Sequence, residues 1–123
     1  KPIPVNFPKF DGNEEKYLIE AIESGWISSE GPFVKKFEQL FAERHERKYA
    51  IAVSSGTAAL QCAVDALDLS PEDEVIIPSF TIISCVTPVI EKGATPVLVD
   101  CDPTTFNSTP EQIISAITSR TKA

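Results

Sequence analysis

Apolar residues recur at helical spacing in two stretches of the first 48 residues. The apolar stripes consist of Tyr17, Leu18, Ala21 and Ile22, and of Phe33, Phe37, Leu40 and Phe41. The first stripe predicts a helix that Asn13 caps and Gly25 stops, and the second predicts a helix that begins at Pro32. The proline-rich residues 2–8 favour an extended arm. The chain is therefore predicted to open with an arm and two amphipathic helices.

From Tyr49 onward, short apolar runs alternate with helical stretches. The predicted strands are residues 50–53, 74–78 and 95–100, and the predicted helices are residues 58–69, 81–92 and 109–117. The first of these helices is apolar nearly all round and is expected to be buried, whereas Pro88 should kink or break the second. Thr109 and Gln112 form a capping box for the third. Since the strands are apolar throughout, the pattern predicts an α/β fold with a mostly parallel sheet and helices on both faces.

Composition narrows the class of protein. Of the 123 residues 42% are hydrophobic, which supports a packed core. The formal net charge of −7 argues against a nucleic-acid partner, because such binding relies on clustered Lys and Arg. We find no apolar run long enough to span a membrane, and the start lacks the apolar region of a signal peptide. These features predict a cytoplasmic protein without a membrane partner.

Cysteine and histidine residues do not suggest a metal site. Cys62, Cys85 and Cys101 are far apart and form no C-x-x-C pair, so we expect free thiols in a reducing compartment. His45 lies in a run of charged residues and is interpreted as an exposed helical residue rather than a general base. The sequence therefore predicts no metal centre.

The junction at residues 54–57, Ser-Ser-Gly-Thr, is the most informative motif. It follows a predicted strand and opens a predicted helix, so free backbone N–H groups and the positive end of the helix point at one place. Such a place binds anions, most often phosphate. Gly56 would let a ligand approach the backbone, and the Thr57 hydroxyl could donate a further hydrogen bond. The alternative is a plain strand-to-helix turn with Ser or Thr as the N-cap.

Other sequence features give less support for a functional site than the junction at 54–57. Neither the dinucleotide-binding pattern G-x-G-x-x-G nor the P-loop pattern occurs in the sequence. Asp100 and Asp102 could serve acid–base or metal chemistry, although a turn with Asp102-Pro103 at its corner is favoured. Trp26 lies in a predicted loop, where it is either a core plug or part of the wall of a site.

Five segments match a known family in order and spacing over essentially the whole chain. They are SGWISSEGPFVKKFE at 24–38, AVSSGTAAL at 52–60, DEVIIPSFT at 73–81, GATPV at 93–97 with VD at 99–100, and ITSRTKA at 117–123. The chain thereby resembles the DegT-type (DegT/DnrJ/StrS) family of sugar aminotransferases. The resemblance implies an enzyme that depends on pyridoxal 5'-phosphate (PLP), with the aspartate-aminotransferase fold of fold-type I, working as a homodimer. Such enzymes move an amino group from glutamate to a nucleotide-linked keto-sugar, for lipopolysaccharide, capsule or antibiotic sugars.

The resemblance also implies roles for individual residues. In the family the Gly-Thr pair after the first strand binds the cofactor phosphate, which corresponds to Gly56 and Thr57. An aromatic residue usually packs on the cofactor ring, and Ile82 occupies that position here, with loss of aromatic stacking. Ser29 and Glu30 correspond to a loop at the mouth of the sugar site and are candidate substrate contacts.

The resemblance places the Schiff-base lysine, and the aspartate that pairs with the pyridine nitrogen, downstream of Ala123. We therefore expect an N-terminal portion, about a third of the enzyme, that is inactive alone. Residues 1–31 would form the arm, first helix and loop, and residues 32–123 would begin a truncated PLP-binding large domain. Three alternatives stay open: a family dehydratase of keto-deoxysugars with histidine in place of the lysine, a non-catalytic regulatory or binding relative, and an unrelated α/β ligand-binding domain.

Overall fold

A computed structural model describes residues 2–4 and 6–123 of the chain. The chain forms two compact units, of which the first ends at Ala52 and the second begins at Val53. Within the described residues, none of the helices combines the length and the apolar character needed to cross a bilayer.

The first unit contains two helices, α1 (Glu14–Ser24) and α2 (Pro32–Arg44). Gly25 ends α1 in the left-handed conformation, with φ of 73°, as predicted. Asn13 occupies the N-cap position of α1 as predicted, but its φ and ψ of −104° and 17° are not those of an extended N-cap and its side chain makes no capping hydrogen bond. The Gly12 N–H instead donates to Glu14 Oε2 at 2.9 Å.

The predicted strand over residues 50–53 is wrong. These residues have no regular structure, and Ile51 is 80% exposed. The Ala52 N–H donates to Glu38 Oε1 at 2.8 Å, so this backbone group bonds a side chain of α2. A strand is stabilised by the ladder it forms with a neighbour, and an apolar run by itself does not supply one.

The second unit is built on a parallel pair of strands, β1 (Glu74–Pro78) and β2 (Thr95–Val99). The register runs from Glu74 opposite Thr95 to Pro78 opposite Val99. Both strands were predicted, and the α/β class with a parallel sheet is confirmed. The buried core of this unit consists of two residues of β1, Val75 and Ile77, with Val64, Val89 and Ala94 packed against them.

The helices of the second unit are α3 (Gly56–Asp65), α4 (Thr87–Glu91) and α5 (Pro110–Ser115), with a 3₁₀ turn over Ile83–Cys85. The predicted helix over 81–92 is broken as expected, because Pro88 lies in the first turn of α4 and its ring replaces an N–H that the preceding turn would need. The capping box of α5 is confirmed by the Thr109 and Gln112 side chains, although the helix ends at Ser115.

The predicted burial of the helix over 58–69 is wrong. In α3 Val64 is buried and most other residues are exposed, and the helix ends at Asp65. In the described residues the sheet has two strands, so it can cover only one side of a helix packed on it. The apolar character of α3 on every side predicted that other elements surround it, and the described part of this unit does not surround it.

The C-terminal residues pair with the free edge of β1. The Glu74 N–H donates to the Arg120 carbonyl at 2.9 Å, the Lys122 N–H donates to the Glu74 carbonyl at 2.8 Å, and the Ile76 N–H donates to Ala123 at 2.9 Å. Glu74 and Thr121 form a parallel bridge. The residues that follow α5 therefore extend the sheet along β1.

The Glu74 side chain stabilises the pairing of the C-terminal residues with β1. Glu74 is only 4% exposed. The Thr118 hydroxyl donates to Oε2, and Arg120 donates to Oε1 from Nε, at 3.0 Å, and from Nη2. The hydrogen bond from Thr118 and then the hydrogen bonds and charge of Arg120 lower the pKa of Glu74, against the opposing effect of burial. The buried carboxylate is thus ionised and paired.

Acidification is expected to weaken this arrangement. A carboxylate whose pKa is lowered by folding stabilises the protein above its ordinary pKa, and the contribution disappears as pH falls through the lowered value. Glu74→Gln should therefore be less stable than the wild type near neutral pH, and the gap should narrow below a pH of about 4. Urea unfolding of the intact protein at a series of pH values measures the gap. A gap that is constant with pH would show that Glu74 is not the titrating group.

Candidate functional site

The Ser54–Thr57 junction forms the N-terminus of α3. Ser55 is the N-cap, in extended conformation with φ of −162°, and its Oγ accepts from the Ala58 N–H at 3.2 Å. Helix geometry leaves the N–H groups of Gly56 and Thr57 without partners inside the helix. The N-cap alternative is therefore correct for Ser55, and it is compatible with anion binding at the two N–H groups beside it.

Space and charge at this helix end suit an anion. A Cβ built on Gly56 meets no heavy atom within 4 Å, so the space beside its backbone is open. The first turn of α3 carries no acidic side chain, so the partial positive charge of the helix end is not offset there. The fold itself does not require glycine at position 56, whereas close approach of a ligand to the backbone would.

Thr57 has a partner that sequence reasoning missed. Its Oγ1 lies 3.0 Å from Ser84 Oγ, and the two residues are 27 positions apart in the chain. Ser84 belongs to the 3₁₀ turn and is half-buried. The sequence carries no local signal for this pair, because only the packing of the turn beside α3 brings the hydroxyls together.

The loop after β1 carries the predicted ring contact. Ile82 directly precedes the 3₁₀ turn and is 66% exposed. Phe80 is engaged elsewhere, because its ring packs on Phe106 with centroids 5.3 Å apart. Ligands of open α/β sheets bind beyond the carboxyl ends of the strands, and this loop starts at such an end. Ile82 precedes Ser84 by two positions in the chain, and the role of Ile82 stays a prediction.

Asp102 forms the turn that the sequence favoured. Its Oδ1 accepts from the N–H groups of Thr104, at 3.0 Å, and Thr105, at 2.8 Å. These bonds, that of Thr105 first, lower the pKa of Asp102. Asp100 accepts from the neighbouring Cys101 N–H at 2.8 Å. Both carboxylates are thus occupied with local backbone, which is the turn interpretation.

Metal-ligating side chains are dispersed. Across residues 2–4 and 6–123, no group of three or more His, Cys, Asp and Glu side chains could hold a metal ion. Cys62, Cys85 and Cys101 are free thiols.

The other candidates lie in the first unit. His45 follows α2 as its C-cap, is exposed, and has its ring 4.4 Å from that of Phe41. Trp26 is 55% exposed, so it does not plug the core of this unit. Ser29 and Glu30 are exposed on the turn before α2. Their contact with a substrate stays a prediction.

A model of the DegT/DnrJ/EryC1/StrS aminotransferase family matches residues 8–123. The chain belongs to this family. The resemblance seen in the five sequence segments is thereby confirmed, and the match includes both the α3 N-terminus and the loop after β1.

Individual members of the DegT/DnrJ/EryC1/StrS family are similar over nearly the whole chain. GDP-perosamine synthase from Caulobacter vibrioides is 48% identical over 121 residues, which are 98% of this chain and 33% of that protein. The solved aminotransferase from Psychrobacter cryohalolentis is 38% identical, with a TM-score of 0.75 over 94% of this chain and 30% of its own. The chain thus spans about a third of the length of the relatives it matches.

A third relative was solved with its cofactor. The Escherichia coli GDP-4-keto-6-deoxy-D-mannose-3-dehydratase with bound hydrated PLP has a TM-score of 0.82 and is 29% identical, over 95% of this chain and 31% of its own. This family member shares the fold of the described residues, and it is a dehydratase rather than an aminotransferase.

Proposed function

We propose that this chain forms the N-terminal third of a PLP-dependent aminotransferase. The enzyme transfers an amino group from glutamate to the keto group of a nucleotide-linked sugar, and it works as a homodimer in the cytoplasm. The observation that carries the proposal is the 48% identity with GDP-perosamine synthase over 98% of this chain. The amino sugar produced would serve the synthesis of lipopolysaccharide, capsule or antibiotic sugars.

The residues at the α3 N-terminus fit the phosphate of PLP. Open space at Gly56, the N–H groups of Gly56 and Thr57, and the absence of acidic side chains from the first turn all favour an anion. We assign the phosphate to Gly56 and Thr57, and the ring to the exposed Ile82 side chain. When bound, PLP supplies the electron sink that amino transfer needs. The protein's part is to bind, orient and shield it.

In the proposed enzyme, the two parts of this chain have different roles. Residues 1–31 form the arm, first helix and loop of the enzyme, and residues 32–123 begin its PLP-binding domain. Ser29 and Glu30 contact the sugar, which is supported by their exposure on one turn. By analogy with the family, the lysine that binds PLP covalently lies C-terminal to the matched segment.

A reaction assay on the intact protein tests the proposal. The protein with PLP is incubated with glutamate and a GDP-4-keto-6-deoxy sugar, and the nucleotide sugar is analysed by mass spectrometry. We expect the keto oxygen to be replaced by an amino group while glutamate becomes 2-oxoglutarate. A matched reaction without glutamate should leave the sugar unchanged, because it contains no amino donor. A protein that does not bind PLP would overturn the proposal.

Dehydration is the second candidate, and the TM-score of 0.82 with the solved dehydratase favours keeping it. Loss of water from the sugar without gain of nitrogen in the same assay would establish it in place of amino transfer. The two outcomes differ in mass and therefore cannot be confused.

A further inference from the structure

We propose that Ser84 is a positioning residue for the phosphate of PLP and acts through Thr57. The Ser84 hydroxyl donates to Thr57 Oγ1, and this leaves the single Thr57 proton directed at a phosphate oxygen. The inference rests on the proposed function, since it concerns the same helix end, but it assigns a residue outside the Gly56–Thr57 pair.

The number of protons on the two hydroxyls limits the hydrogen bonds that they can donate. A hydroxyl has one proton and two acceptor lone pairs, so in a pair of hydroxyls with oxygens 3.0 Å apart only one of them donates. If Thr57 donates to Ser84, its proton is not available to an anion. If Ser84 donates, the Thr57 proton is free. Hydrogen bonds to charged acceptors are stronger than those between neutral groups, so a phosphate selects the second arrangement.

Backbone hydrogen bonds hold Ser84 in place for this role. The Cys85 N–H donates to the Ile82 carbonyl at 3.0 Å, and the Val86 N–H donates to the Ile83 carbonyl at 2.9 Å. Ser84 lies between these two bonds and is half-buried. Because the turn is formed within the chain itself, orienting the hydroxyl costs little conformational entropy when a ligand binds.

Thr57, the other residue of the hydroxyl pair, is also held in place by its secondary structure. Thr57 lies in the first turn of α3, which Ser55 caps through the bond from the Ala58 N–H at 3.2 Å. The same 3₁₀ turn follows directly after Ile82, the predicted ring contact. We thus assign the ring contact and the positioning of the phosphate contact to two residues of one short segment, Ile82 and Ser84.

A double-mutant cycle with two ligands tests the proposal. The apoprotein of the intact enzyme is prepared as wild type, Thr57→Val, Ser84→Ala and the double variant, and each is titrated with PLP and with pyridoxal, which lacks the phosphate. Ser84→Ala should weaken PLP binding about 5- to 10-fold and leave pyridoxal binding unchanged. In the Thr57→Val background, Ser84→Ala should have no further effect. Ser84→Thr keeps the hydroxyl and should restore PLP affinity.

Ser108→Ala is the matched control, because Ser108 is also half-buried and its hydroxyl donates to the Asp100 carbonyl at 2.9 Å, away from Thr57. It should leave the affinities for both ligands unchanged. Three results would overturn the role of Ser84 alone: unchanged PLP affinity in Ser84→Ala, equal weakening of PLP and pyridoxal, or the same loss with and without the Thr57 hydroxyl. A wild-type protein that does not bind PLP would instead overturn the proposed function, and this inference with it.

Discussion

Gly56→Asp is expected to weaken PLP binding to the intact protein about 100-fold or more. The substitution puts a negative charge at the first residue of α3, where the proposed phosphate carries a charge near −2. The same charge favours the helix, since acidic side chains stabilise a helix N-terminus. The unfolding temperature of the apoprotein should therefore be unchanged or raised while cofactor affinity falls.

Two further variants separate charge from size. Gly56→Asn has nearly the same volume without the charge, and Gly56→Ala adds only the Cβ, which meets no protein atom within 4 Å. PLP titration of the apoproteins should rank the affinities as wild type, Ala, Asn and Asp in descending order. Equal affinities for the Asn and Asp variants would show that no anion binds at this helix end.

Arg120→Ala is expected to lower the apparent Tm of the intact protein by about 3–6 °C. The substitution removes the cation that bonds the Glu74 carboxylate, whose residue is 4% exposed, and so leaves a buried charge poorly compensated. It also loosens the pairing of the C-terminal residues with β1, because the first hydrogen bond of this pairing is accepted by the Arg120 carbonyl. Differential scanning calorimetry measures the shift.

A second variant tests the cause of this loss. Arg120→Ala combined with Glu74→Gln should be more stable than Arg120→Ala alone, because a neutral amide is less costly to bury than an unpaired carboxylate. Lys122→Ala removes a positive charge from the same segment while leaving the Glu74–Arg120 pair in place, and it should change the Tm little. If the double variant is the least stable, the charge of Glu74 is not what Arg120 compensates.

Much of the local structure could be predicted because its signals lie within a few residues. Gly25 ends α1 through its own backbone conformation, Pro32 starts α2, and the Thr109–Gln112 box starts α5. The strands β1 and β2 were predicted from their apolar runs. The run at 50–53 had the same appearance and forms no strand, because pairing decides a strand and hydrophobicity alone does not provide a neighbour.

The candidate site likewise contains a part that the sequence predicts and a residue that it does not predict. The junction at 54–57 could be predicted as a helix N-terminus because capping acts between neighbouring residues. Ser84 could not, because a hydroxyl is a site residue only through what it faces, and its partner Thr57 is 27 positions away.

By itself, the sequence determined the family, the ends of several helices and the place where an anion could meet a helix N-terminus, since all of these depend on short-range chemistry and on ordered motifs. Only the tertiary structure decided that residues 120–123 pair with the edge of β1, that Arg120 neutralises Glu74 across 46 positions, and that Ser84 faces Thr57. The physical reason is that such contacts are made by packing and strand pairing between distant segments. The sequence around one partner does not indicate which distant residue it will contact.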